Sequence, residues 1–408
     1  MEIIKNIKND IILFFIFFLS CSFGVSNDII SSKATILLWI VLGIVIIGKR
    51  IRVDKTAVSF WVVSFLAMWT SVLLNEPGSY YKYLCISFSM IVIFLYTQHF
   101  NIHEFIDSYC RVFYILALIS LILYSLFLLY PRLNNYFLVY SRAGTQFSYL
   151  YIFVKSPHSI RNCGMFWEPG AYQTFLIISL MFEIRKEQLK VNRLLVLVIA
   201  IITTFSTTGY IALAILLFFT VYKMPKLNWK YKILFILLII GSVYFFLNAD
   251  LIIRKYSGYS VFGKINEIME IDAKSDSGES TSGSIRFYAV FKPIEVFVSN
   301  PLFGVGYNNL NDMLRNYTYN MNTCTFSNFF AVHGIIFGSI YLYGFFYFSR
   351  KISKNYIELI SAIIIFFVAT MSENYISIAC IYLFPYFGFN IIKKEKPKRS
   401  ITDENCVN

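Results

Sequence analysis

The sequence predicts an all-α polytopic membrane protein of about twelve transmembrane helices, with two long outer loops that carry short helices. Three observations lead there. Hydrophobic residues make up 57% of the 408 residues, and mean hydropathy is +0.62. Charged residues make up 14%, against roughly 25% in soluble domains. Apolar runs recur along the whole chain between short polar connections, so the solvent for most of the surface is hydrocarbon. The net charge of +13 would suggest nucleic acid in a soluble chain. Here its placement reports orientation, and no nucleic-acid partner is expected.

The runs, in order, are Ile11–Val25, Ala34–Gly48, Ala57–Leu74, Tyr83–Thr97, Val112–Tyr130, Gly170–Phe182, Leu194–Phe205, Gly209–Tyr222, Ile233–Leu247, Asn328–Phe348, Ile357–Met371 and Ile376–Ile392. Several fall short of the ~20 residues needed to cross the hydrocarbon, and flanking Tyr, Ser and Lys complete them at the interface. Leu194–Tyr222 is interrupted by Ser206-Thr207-Thr208-Gly209, so it reads either as two helices with a tight turn or as one broken helix. The first run resembles a signal peptide, but its cleavage pattern is poor and eleven runs follow, so it is read as an uncleaved helix. The whole chain, 1–408, reads as one integral membrane domain.

With the N-terminus inside, 23 of the 36 lysines and arginines fall in inner segments. Of the 13 outside, 11 lie in two long segments, which cross a membrane regardless of charge. Both termini are therefore expected in the cytoplasm, with a basic tail at 393–408. The long outer segments are 131–169 and 248–327, too long to be simple connections. The second contains a polar linker, Ala273–Ser284, between an amphipathic stretch (Lys264–Ile271) and an apolar helical one, Ile285–Ser299. Asn300-Pro301-Leu302-Phe303-Gly304-Val305-Gly306 supplies turn chemistry after that. The seven cysteines show no metal spacing. Cys163 and Cys324 lie outside and could be bridged or free thiols.

The candidates for chemistry lie in these outer segments. Arg142, Arg161, Arg286 and Arg315 offer a permanently charged planar fork suited to phosphate oxygens. Arginines at a membrane surface also pair with lipid or snorkel. Arg161 and Arg286 stand out because each precedes an apolar segment within a turn-rich motif. His333 is the one Lys, Arg, His, Asp or Glu inside the runs, roughly 7–8 Å below the outer boundary at 1.5 Å per residue. It is either functional or a neutral histidine bonded between helices. Glu168 and Glu373 are either general bases or helix-end groups. Tyr307 and Asn308 complete the substrate-binding set. No metal or cofactor is expected.

Four motifs carry a resemblance to the polymerase (Wzy-type) branch of the O-antigen ligase/polymerase superfamily. They are Arg161–Tyr172 with its Glu168-Pro169-Gly170 helix entry, Thr204-Phe205-Ser206-Thr207-Thr208-Gly209-Tyr210, Arg286 followed by Asn300–Gly306, and Asn328–Gly338. The resemblance implies glycosyl transfer at the periplasmic face of the bacterial inner membrane. A growing glycan would leave its undecaprenyl-pyrophosphate carrier for the next lipid-linked repeat unit. Arg161 and Arg286 match arginines that would hold the pyrophosphate and stabilise the departing charge, and His333, Glu168 or Glu373 would act as base. Membrane lipid, a chain-length regulator and a flippase would be its partners.

Ligases of the superfamily usually place a His directly before the Asn that starts the helix after the large loop. Here that residue is Ser327, which favours the polymerase. The Arg-x10-Gly spacing of some polymerases is also missing: Tyr172 and Phe153 stand where glycines would follow Arg161 and Arg142. The alternatives are a ligase to lipid A core, and a transporter of lipid-linked sugars. A transporter should show internal repeats and midplane charges, neither of which is visible.

Overall fold

The computed structural model describes residues 2–48, 53–141, 144–150, 152–155, 161–186, 188–223, 282–315, 322–371 and 373–390, with isolated positions between 229 and 240. The chain opens with α1 (Glu2–Cys21), α2 (Phe23–Ser26), α3 (Ser32–Ile47), α4 (Lys55–Asn75), α5 (Tyr80–His99) and α6 (Ile102–Leu129). A 3-10 turn, Pro131–Phe137, leads into β1 (Leu138–Tyr140), β2 (Gln146–Leu150) and β3 (Phe153–Lys155). Then come α7 (Pro169–Arg185), α8 (Val191–Thr203), α9 (Thr207–Lys223), α10 (Ser282–Ser299) and α11 (Tyr307–Arg315). The chain closes with α12 (Thr325–Lys351), α13 (Tyr356–Thr370), a 3-10 turn at Ala379–Tyr382 and α14 (Leu383–Phe389).

Among the described residues four helices are long and apolar enough to cross a membrane: α4, α5, α6 and α12. Shorter apolar helices accompany them, among them α3, α8 and α13. Large apolar side chains such as Ile44, Leu66, Ile122 and Leu342 are exposed on the outside, as lipid-facing groups are. This is a membrane protein. The expected run Ile233–Leu247 lies outside the described residues apart from isolated positions, as do the amphipathic stretch Lys264–Ile271, the linker Ala273–Ser284 up to residue 281, and the tail 393–408. The break at Ser206 resolves as two helices, α8 and α9.

The bundle is mostly helical but not all-α. Residues 138–155 form a three-stranded antiparallel sheet in the order β1-β2-β3, where short helices were expected. The segment is rich in Tyr, Phe and Val, which suit a pleated, half-buried surface. Gly144, at φ +77°, turns β1 into β2. The sheet rests on the tip of α2, where the Phe23 ring lies 4.8 Å from Phe147 and 5.4 Å from Tyr149.

Helix ends segregate to two faces of the bundle. At one, Asp10 of α1 grips Arg111 of α6 through two 2.8 Å bonds, and Gln98 at the end of α5 donates to Asn390 beyond α14 (2.7 Å). This end carries Lys5, Lys8, Arg185, Lys186, Lys351 and Lys354. The other end gathers the starts of α7 and α12, the ends of α4 and α8, and the sheet. Between them lies an aromatic core in which Phe105, Tyr109, Phe182, Phe348 and Phe384 meet ring to ring. α12 and α14 cross where both lack a side chain: a Cβ on Gly388 would sit 2.1 Å from the Gly344 carbonyl oxygen. Without a hydrophobic drive between helices in lipid, such close backbone approach is what holds them.

Candidate functional site

The Arg161 loop is clipped onto the C-terminus of α8. A helix end leaves carbonyls without partners and a negative dipole. Here the Asn162 amide donates to Thr203 O (2.8 Å) and the Arg161 Nε–H to Thr204 O (3.0 Å). The Asn162 side chain adds bonds to Thr203 Oγ1 (3.1 Å) and Ser120 Oγ (3.3 Å). The guanidinium is thereby fixed at the mouth of the α8–α9 turn, whose Phe205 adopts φ +49°, a strained conformation for a bulky residue. Two of the sequence motifs are thus one structural unit.

Glu168 ends the same loop. It stands in extended conformation before Pro169, which opens α7. A Cβ on Gly170 would meet Glu373 Oε1 at 2.6 Å and Glu168 Oε1 at 3.0 Å, so the two carboxylates converge on the first turn of α7, within about 6 Å of each other. Only glycine leaves room for both. The positive end of the α7 dipole favours such anions. Glu373 is buried, and its carbonyl accepts from Thr325 Oγ1 (2.7 Å) at the start of α12. Thr325 Oγ1 in turn accepts from the Tyr375 amide at 3.0 Å. Cys163, on the same loop, feels both Arg161 and Glu168. Burial pushes its thiol up to about 12, so it is an inert packing group. Cys163 and Cys324 are both free and buried, and no bridge joins them.

The second pair of motifs also meets. Gly334 takes φ +80° and interrupts α12, which opens the backbone at residues 331–335. The 300–306 loop fills the gap: Val305 N donates to Ala331 O (2.9 Å), Gly306 N to Val332 O (3.0 Å), and Ile335 N to Pro301 O (2.8 Å). Ser71 Oγ of α4 also donates to Val332 O, at 2.8 Å. Every freed polar group must be satisfied inside a bilayer, and here a loop does it. His333 precedes the break. Its helix starts at Thr325, three residues earlier than expected, which puts it about 12 Å along the axis. It is buried among Tyr83 and Phe337, and its Nδ1 has no hydrogen-bond partner. With Lys82, Tyr307 and Ser377 it lines a small cavity.

Tyr307 and Asn308 begin α11. The Lys82 ammonium lies over the Tyr307 ring, 4.1 Å from its centre, and burial raises the Tyr307 phenol above its ordinary value. Asn308 is engaged by Glu76: its amide N donates to Oε1 (2.7 Å) and its Nδ2 to Oε2 (3.0 Å). Glu76 and Lys82 escaped the sequence reading. The signal was available, since Glu76-Pro77-Gly78 repeats the tripeptide Glu168-Pro169-Gly170 in a short outer turn. An asparagine chain (Asn311, Asn322, Asn374) ties α11 to the loop that carries Glu373.

The structure therefore pairs Glu168 with Glu373, at the end of the loop that carries Arg161, and brings Tyr307, Asn308 and His333 into a neighbouring cluster. The 373–377 loop borders both. Arg142 lies outside the described residues. Arg286 sits early in α10 and Arg315 ends α11, and their side chains lie outside the described set. Among the described residues no group of three or more His, Cys, Asp or Glu is arranged to hold a metal.

Residues 194–346 match the family model described as O-antigen ligase. That segment is similar to the O-antigen ligase family, in line with the resemblance that the sequence motifs carry. It covers α8 to α12, hence the α8–α9 turn, the 300–306 loop and the break beside His333. Arg161, Glu168 and Glu373 lie outside the matched segment, but Arg161 and Glu373 are hydrogen-bonded to it. No curated protein matches the chain.

Proposed function

We propose that the chain is a glycosyltransferase that polymerises undecaprenyl-pyrophosphate-linked oligosaccharides at the outer face of the bacterial inner membrane. The observation that supports this reading is that Glu373, from a distant part of the chain, meets Glu168 at the start of α7, at the end of the loop that holds the fixed Arg161 guanidinium. The acceptor hydroxyl attacks the anomeric carbon of the donor glycan and forms the new glycosidic bond. The bond from that carbon to the pyrophosphate oxygen breaks, and the electron pair leaves with the pyrophosphate. Arg161 stabilises the leaving charge, and Arg286 is its partner from α10. One carboxylate of the Glu168/Glu373 pair takes the hydroxyl proton. Tyr307 and Asn308, at the start of α11 beside that small cavity, contact the acceptor sugar. Both termini face the cytoplasm in this reading, with the basic end of the bundle inward.

Arg161→Ala, Glu168→Gln and Glu373→Gln should each abolish long surface glycan on a gel while the protein still accumulates in the membrane. A normal ladder in any of them removes that residue from the mechanism. The family description favours a second reading, a ligase using the same donor. Deletion separates the two: loss of a polymerase leaves a single repeat unit on the core, whereas loss of a ligase leaves none.

A further inference from the structure

The basic end of the bundle, opposite the cluster above, holds a second polar cavity of about 320 Å³. It opens between the start of α6, the end of α7 and the turn from α12 to α13. Arg185, Lys186, Lys351 and Lys354 line it, with Asp107 as the carboxylate in its wall.

The ion pairs leave this charge only partly balanced. Lys186 bonds Asp107 at 3.1 Å and lies 3.6 Å from Glu183, which is already held by Arg193 at 3.0 Å. The Lys351 ammonium donates to two neutral carbonyls, Phe387 O at 2.8 Å and Asn390 O. Arg185 Nη2 donates to Glu358 O (2.7 Å) and Ser361 Oγ (3.0 Å), also neutral acceptors. The Glu358 carboxylate accepts from the Lys354 amide at 2.7 Å and offsets part of the Arg185 charge. Arg185 Nη1 is buried and has no hydrogen-bond partner. A guanidinium desolvated in this way is costly, and an anion in the cavity that Arg185 lines offsets its charge. Ile106 and Phe182 form an apolar wall beside the cations. The chemistry required is a phosphate oxygen joined to an apolar body, at the bilayer face where basic groups concentrate.

We propose that this cavity binds the headgroup of an anionic phospholipid, with the ammonium groups of Lys186 and Lys354 on its phosphodiester and the Arg185 guanidinium adding its charge from the cavity wall. The proposal is independent of the reaction assigned to the opposite end.

Native mass spectrometry of the full-length protein in neutral detergent tests it, with phosphatidylglycerol, phosphatidylcholine and inorganic phosphate as probes. The wild type should retain phosphatidylglycerol over phosphatidylcholine by about ten-fold or more, because the two share the phosphodiester and only the choline ammonium is repelled by the cations of the cavity. Arg185→Gln should bring that preference close to parity. If that variant fails to accumulate, Lys186→Gln and Lys354→Gln, on more accessible groups, should each reduce it several-fold. Equal retention of the two lipids by the wild type overturns the proposal, as does a preference that survives all the substitutions. Displacement of the lipid by millimolar phosphate would mean a free-phosphate site and overturns the lipid assignment.

Discussion

Replacing Gly334 by alanine tests the joint between α12 and the 300–306 loop. The residue holds φ +80° and ψ −175°, a region closed to alanine without strain of about 1–3 kcal/mol. An added Cβ would also lie 2.1 Å from Leu302 O and 2.5 Å from Leu302 C, backbone atoms that cannot swing aside. The loop must retreat and weaken three hydrogen bonds of 2.8 to 3.0 Å, to Ala331 O, Val332 O and from Ile335 N. At about 0.5–1.5 kcal/mol each, this brings the total to roughly 3–6 kcal/mol. At about 2 °C per kcal/mol for a long chain, the melting temperature should fall by about 6–12 °C. The assay is thermal unfolding of the detergent-solubilised protein followed by size-exclusion chromatography. Gly144→Ala is the internal comparison. It has φ +77° but nothing within 4 Å of the new Cβ, so it should lose only the strain component, about 1–2 kcal/mol. If Gly334→Ala melts with the wild type, or no lower than Gly144→Ala, the loop does not seal the broken helix as argued.

Glu76→Ala should destabilise the packing of α11 by about 2–4 kcal/mol, because it removes both carboxylate acceptors of Asn308. Glu76→Gln should recover most of that, and limited proteolysis near α11 reads the difference. Asp10→Asn should cost only about 1–2 kcal/mol, because both partners of the Asp10–Arg111 pair remain about a quarter exposed. The exchange Asp10→Arg with Arg111→Asp should restore part of it, measured as melting temperature. Cys163, with its thiol held near 12, should carry about one thiolate in ten thousand at pH 8. Iodoacetamide should leave it unmodified until the protein unfolds, and rapid labelling of the folded protein would contradict the burial of that loop.

The helices were legible because their apolar runs are long and their flanks basic, but their ends were not. α6 begins at Ile102, ten residues before the expected Val112, because Asn101 and Glu104 form a capping box that starts the helix in polar sequence. The sheet at 138–155 was missed because strands of three to five residues leave too few alternations to read. The Glu168–Glu373 pairing is a tertiary fact that no local spacing encodes, although each residue had been singled out. His333 was found by its depth. The interruption beside it was hidden, because a glycine inside an apolar run looks the same whether or not the helix continues through it.

The seam at Gly334 has a bearing on biosynthesis. Carbonyls 331 and 332 find their backbone donors in a stretch made some twenty-five residues earlier. The two pieces must therefore leave the insertion machinery together, as one hairpin, rather than as a loop followed by a finished span. A stall between them would strand bare peptide groups in oil, so variants in the 300–306 turn should be cleared by membrane proteases during synthesis rather than persist as stable, inactive protein.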